Sequence, residues 1–200
     1  MGPGRVDRGH FIPTKGVTLI KEKASHQHEF NTPPDLLQRI RQLSPDRRID
    51  LDPCGNAFGH VRAVTTWTGA PGVPEDDGLH QSWRGRGLVF MNPPHSMSPH
   101  HIEPWMKKVY DEFINTPAWV GEDQVVGLIP AKTDTAWFHD QAVHFPGRVF
   151  LRGRLTFWSH GVPLPGPGKF ASMLIYAGYQ PDHFIHLFAK KGWAPHVTRT

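Results

Sequence analysis

Leu88-Val89-Phe90-Met91-Asn92-Pro93-Pro94-His95 is the stretch on which the organisation of the chain turns. An apolar run this short, bounded by turn residues, reads as a strand buried on both faces, the pattern of a central strand in a parallel sheet. Asn92-Pro93-Pro94 then falls at the carboxyl end of that strand, where open α/β sheets hold their ligands. The chemistry of the segment concerns amines. An Asn side-chain oxygen accepts hydrogen bonds, and a Pro keeps its carbonyl acceptor while lacking an N–H. Together they form a rigid rim of acceptors that holds an exocyclic NH2 by both hydrogens, directs the nitrogen lone pair outward and stabilises positive charge developing on it. His95 is a planar neighbour able to stack on a heterocycle. Asn-Pro-Pro also serves simply to end a strand and start a turn.

Working outward, Ile49 to Asp52 reads as the first parallel strand, Ala63 to Trp67 as the next and Gln124 to Ile129 as the strand after Asn-Pro-Pro. Val149 to Leu151, Leu155 to Phe157 and Ala171 to Ala177 read as further strands. Thr32 offers an N-cap, Pro33 suits the first helical position, and Leu36, Leu37, Ile40 and Leu43 supply an inward helical face. Ile102, Trp105, Met106, Val109 and Phe113 recur at helical spacing and read as core. The expected fold is therefore α/β, a mostly parallel twisted sheet with helices on both faces, spanning residues 30–180. Residues 1–29 read as a flexible basic leader and 181–200 as a C-terminal extension.

The order of short segments resembles amino-methyltransferases that use S-adenosyl-L-methionine. Asn31-Thr32-Pro33-Pro34, Asp50-Leu51-Asp52-Pro53-Cys54-Gly55, Asp77-Gly78-Leu79 with Trp83, and Asn92-Pro93-Pro94-His95 follow one another. Leu128-Ile129-Pro130-Ala131-Lys132-Thr133-Asp134-Thr135-Ala136-Trp137-Phe138 and Gly153-Arg154-Leu155-Thr156-Phe157 resemble two further signatures of the phage-type DNA N-6-adenine-methyltransferase family. The resemblance implies a Rossmann-like class I methyltransferase fold and methyl transfer to the N6 amine of adenine in DNA. It implies Asn92, Pro93, Pro94 and His95 as catalytic residues. Thr32, Pro33, Asp50, Asp52, Pro53, Gly55, Asp77, Leu79 and Asn92 would border the cofactor, with Asp76 or Glu75 as substitutes for Asp77. The family normally ends the tetrapeptide in Tyr, Phe or Trp, whereas this chain has His95, which stacks with less area and titrates near neutral pH.

Composition sets outer limits. With 200 residues the chain suits one domain with a core that needs no disulfide, and the lone Cys54 fits a reducing compartment. A net charge of +4 permits a polyanionic partner. Lys132, on the loop after the fourth strand, and Arg152, Arg154 and Lys169 are the cations expected to meet phosphates. The target base would be flipped out of the duplex. With no room for a separate recognition domain, the target sequence is expected to be short or relaxed. No apolar run approaches the roughly 20 residues that span a bilayer, so the expectation is a cytoplasmic protein, in a host cell if phage-encoded, acting as a monomer or weak dimer. The 14 histidines include His100-His101 but lack metal-ligand spacing, and no metal is expected. The acceptor rim alone leaves three alternatives open: an N4-cytosine DNA methyltransferase, a protein glutamine methyltransferase, and a noncatalytic DNA-binding module.

Overall fold

The computed structural model describes residues 30–56, 58–94, 102–115, 122–190 and 192–193. The leader 1–29, His95 and His100-His101 lie outside them. The seven-stranded main sheet is ordered β2-β1-β3-β4-β8-β5-β9. Its members are β1 (Leu51–Asp52), β2 (Thr65–Thr66), β3 (Leu88–Met91), β4 (Gln124–Pro130), β5 (Gly147–Leu151), β8 (Ser172–Ala177) and β9 (Gly192–Trp193), while β6 (Trp158–Ser159) and β7 (Val162–Pro163) form a separate hairpin. The β2-β1-β3-β4 half is parallel, and β8 is inserted antiparallel between β4 and β5, with β9 antiparallel on the edge. The strands β1 to β5 therefore all point one way and share one carboxyl edge.

Side-chain alternation distributes the apolar residues of the strands between two cores, one on each face of the sheet. Val89, Met91, Val125, Ile129, Met173 and Ile175 face the first, covered by α2 (Glu103–Phe113) and α3 (Ala136–Asp140) through Met106, Val109, Phe113, Trp137 and Phe138. Leu88, Phe90, Val126, Leu128, Leu174 and Tyr176 face the second, covered by α1 (Pro34–Ile40) and α4 (Pro181–Phe188). Helices thus lie on both faces of a mixed α/β domain. The segment from residue 181, read as an extension, puts Phe184 and Phe188 fully into the second core and Gly192–Trp193 beside Phe150 and Leu151. Among the described residues no helix is long and apolar enough to cross a membrane.

Two local expectations are corrected. The helix starts at Pro34, not Pro33, and Thr32 makes no capping bond. Tandem prolines explain this, because Pro34 at the first position has no N–H to satisfy and the Pro33 carbonyl takes the N–H groups of Leu36 and Leu37. Leu155 to Phe157 is not a strand. Phe157 is buried there in irregular backbone, and pairing begins one residue later at Trp158. The turn explains the shift: His160 and Gly161 both have positive φ, the pattern of a two-residue turn whose twist matches a hairpin.

Candidate active site

Strand order reverses between β1 and β3. From β1 the chain steps outward to β2, then returns to β3 and continues to β4 on the other side. Open α/β sheets bind ligands at such a switch point, beyond the strand carboxyl ends, and here those ends are Asp52 and Met91-Asn92. Four loops meet there. The Cys54 thiol sits against the backbone N–H of Asn92. Asn56 Nδ2 donates to Asn31 Oδ1 at 2.8 Å, bringing in the segment ahead of α1. Asn92 Nδ2 donates to the Phe30 carbonyl at 2.9 Å. Pro53 and Gly78 approach so closely that a Cβ on Gly78 would lie 1.9 Å from the Pro53 carbonyl oxygen, and the buried Trp83 indole clamps the same turn by donating to the Gly78 carbonyl at 2.7 Å.

Some of the polar groups gathered here lack a partner among the described residues. With Nδ2 committed to Phe30, the Oδ1 atom of Asn92 is buried and has no partner among the described residues. Thr32 is 1% exposed, its carbonyl is engaged by His60 Nε2 at 2.8 Å, and its Oγ1 is likewise buried without a partner. Asp52 is 3% exposed, and burial pushes its carboxyl up to about 7, opposed in part by the Cys54 backbone N–H donating to Oδ1 at 3.3 Å. No cation faces it among its described contacts. A Cβ on Gly55 would lie 2.8 Å from Asp52 Oδ2 and 2.3 Å from Thr66 Cγ2, so only glycine lets the chain pass over the carboxylate. Burial also pushes the Cys54 thiol up, with the neighbouring Asp52 as second cause, which is the behaviour of a packed thiol rather than a nucleophile.

The structure brings together Thr32, Pro33, Asp52, Pro53, Gly55, Asn92 and Pro93, with Pro33, Pro53 and Pro93 buried and Pro94 exposed. Asp77 and Leu79 join them through the Gly78 contact. Asp77 Oδ1 accepts from the Leu79 N–H, Oδ2 lies 2.7 Å from His80 Nδ1, and hydrogen bonding to His80 holds its carboxyl below the usual range. Asp76 is committed elsewhere, closing the 68–76 loop through Thr68 and Ala70. Asp50 lies at the opposite end of the sheet, where it accepts from the Leu88 N–H at 2.9 Å and from Arg48 Nε at 2.7 Å. Lys132 follows β4 at the carboxyl edge, and Arg152 and Arg154 follow β5 at that edge. Lys169 precedes β8, whose first residue pairs with Pro130. None of these four cations is in an ion pair with a described residue. The reading of the sequence missed Phe30, Asn56 and His60, whose roles arise from contacts across 25 to 62 positions and leave no local signal.

The fold is thus a mixed α/β sheet covered by helices, and the carboxyl edge of its parallel half carries an unpaired amide oxygen on Asn92 and a buried carboxyl on Asp52. The chain belongs to the DNA N-6-adenine-methyltransferase (Dam) family, whose pattern matches residues 17–177. The family acts on the N6 amine of adenine in DNA, so DNA is the substrate that membership implies. No curated protein matches the chain.

Proposed function

We propose that the protein transfers a methyl group from S-adenosyl-L-methionine to the N6 amine of a flipped-out adenine in DNA, on a Rossmann-like class I methyltransferase fold. The observation that carries this reading is the buried, unpaired Asn92 Oδ1 at the carboxyl end of β3, with its amide orientation fixed by Phe30. A buried acceptor without a donor is costly, and an NH2 group relieves that cost. The other open groups fit the cofactor. Asp52 is a buried carboxylate without a cation, Thr32 Oγ1 is an unpaired hydroxyl, and Gly55 leaves space over the carboxylate, a donor set suited to a cationic molecule bearing hydroxyls. Pro33, Pro53, Asp77 and Leu79 would complete its borders.

When bound, S-adenosylmethionine supplies a methyl group made electrophilic by its sulfonium. The chain's own part is placement and charge stabilisation. Asn92 Oδ1 and the Pro93 carbonyl accept the two amine hydrogens and turn the nitrogen lone pair toward the incoming carbon. The same two oxygens would stabilise the positive charge that grows on the amine nitrogen when it takes up the methyl group, until its surplus proton leaves to solvent. Pro94 stiffens the loop, and His95 is the residue that would stack on the base. Lys132, Arg152, Arg154 and Lys169 would neutralise phosphates along the shared edge. The target sequence is short or relaxed on this reading; methylation confined to one long, strict motif would contradict it.

The test is mass spectrometry of nucleosides from DNA of a methylation-deficient bacterium expressing the protein, with Asn92→Ala as control. N6-methyladenine that disappears in the variant is the expected result. N4-methylcytosine would move the target, and absence of both from cells holding soluble, cofactor-binding protein would overturn the reading.

A further inference from the structure

A second recess lies on the α1 face. Its volume is about 840 Å³, and its walls come from one side of α1, the loop before β1, the β1–β2 loop and the β6–β7 hairpin. Arg41, Arg47, Arg48 and Arg62 line it, and no carboxylate does among the described residues. Arg48 is paired with Asp46 and Asp50. Arg47 and Arg62 have no ion-pair partner among the described residues, and Arg41 donates to the Val61 carbonyl at 2.6 Å. Arg41 and Arg62 repel one another, an effect that adds to burial in lowering the pKa of Arg41. Like charges confined to one recess are relieved by an anion placed between them.

The backbone is unusual at the same place. Arg47, Arg62 and His160 have φ of 56°, 52° and 50°, and they are the non-glycine residues with positive φ among the described ones. All three line this recess. A left-handed conformation is costly for residues bearing a Cβ, and such residues concentrate at functional sites. Glycine or asparagine would fit two of these turns with less strain, yet the positions carry cations. Phe58 stands 64% exposed above the recess in edge contact with His160, with ring centroids 5.1 Å apart. A positive groove with an exposed aromatic platform is the pattern that follows a sugar-phosphate backbone and stacks an unpaired base.

We propose that this groove binds the DNA strand flanking the target base, with Arg47 and Arg62 on phosphates and Phe58 under a base. The groove adjoins the site through Asn31, which lines it, pairs with Trp158 and accepts from Asn56. Charge favours DNA over the chain's own leader as the occupant: residues 1–29 carry Arg5, Arg8, Lys15, Lys21 and Lys23 against Asp7, Glu22 and Glu29, a net positive segment. The inference rests on DNA being the substrate and assigns it a second surface.

The experiment is fluorescence anisotropy of the full chain with a labelled duplex and the matching single strand, each across a range of salt. Asn suits both left-handed positions, so Arg47→Asn with Arg62→Asn removes charge without adding strain. This double variant should bind roughly tenfold more weakly, and its salt slope should fall by about 2, close to one for each phosphate no longer neutralised. Phe58→Ala should weaken single-strand binding severalfold at an unchanged slope, because stacking releases no counterions. Lys107→Gln with Arg86→Gln removes equal charge outside the groove and serves as the control. Equal losses in the two double variants, or wild-type affinity and slope in the groove variant, would overturn the proposal. If the wild type methylates the same DNA while the groove variant binds normally, the groove assignment falls alone; if the wild type neither binds nor methylates DNA, the site reading falls with it.

Discussion

Asp50 and Asp52 lie two positions apart in the chain, yet they belong to opposite ends of the sheet and to opposite regimes. At the amino end, Asp50 takes the Leu88 N–H and Arg48, and Asp123 takes the N–H groups of Gly85 and Gly87 at 2.6 and 3.0 Å. Gln124 there donates to the Leu43 carbonyl and accepts from Tyr176 and Gln180. At the carboxyl end, Asp52 is buried without a cation, and Thr32 Oγ1 and Asn92 Oδ1 have no partner among the described residues. One edge closes its own hydrogen bonds and holds the fold. The other leaves Thr32 Oγ1 and Asn92 Oδ1 open among the described residues, which costs stability.

Asn92→Ala should break this contrast most sharply. Loss of one preorganised charge-stabilising group commonly costs about 10²- to 10³-fold in rate, so methylation should fall by that factor. Stability should barely move, because among the described residues the only side-chain bond removed is the one from Nδ2 to the Phe30 carbonyl. Steady-state methylation and thermal unfolding read the two effects separately; a large fall in unfolding temperature would make Asn92 a structural residue.

Asp52→Asn tests the open edge through pH. Burial raises the carboxyl from 3.8 to about 7, so the folded state prefers it protonated. Its contribution to stability is whole below about pH 4, falls as pH rises and is lost once pH passes about 7. The full difference corresponds to an upper bound of roughly 4 kcal/mol at about 1.4 kcal/mol per tenfold. The variant should therefore match the wild type near pH 4 and exceed it in stability at pH 8, while binding S-adenosylmethionine more weakly. Wild-type affinity for the cofactor should also rise between pH 6 and 8 as Asp52 ionises, and a flat profile would remove Asp52 from that role. Asp123→Ala is the counterpart at the closed edge. It leaves two backbone donors without their acceptor and should cost about 2 kcal/mol in chemical denaturation at unchanged cofactor affinity.

Sequence reading succeeded where a short local pattern carries the information. The run Leu88–Met91 is the strand it was expected to be, because continuous apolarity bounded by turn residues, Gly87 before it and Asn92-Pro93 after it, has few other solutions. The inward residues of α1 are likewise buried, since helical spacing alone selects them. The opposite behaviour of Asp50 and Asp52 was not legible. Residues two apart share a face in extended chain, and only the strand register, Leu51 beside Val89, assigns them to different ends. The same holds for Asn31, which pairs with Trp158 from far along the chain. In α4 the signal was present but unused: Pro181 opens a helix and Phe184 and Phe188 fall four apart on its inward face.

Thr32→Val makes the smallest change and the cleanest separation of the two edges. The hydroxyl is buried and unpaired, so replacing it with a methyl of similar size removes an unsatisfied polar atom rather than a bond. Stability should stay level or rise by less than about 1 kcal/mol, since the Thr32 side chain does not cap α1. If the hydroxyl is held open for the cofactor, affinity for S-adenosylmethionine should fall severalfold while stability does not. Calorimetric titration beside thermal unfolding distinguishes the outcomes. A fall in both together would mean that Thr32 belongs to the framework, and the open edge would then end at Asn92 and Asp52.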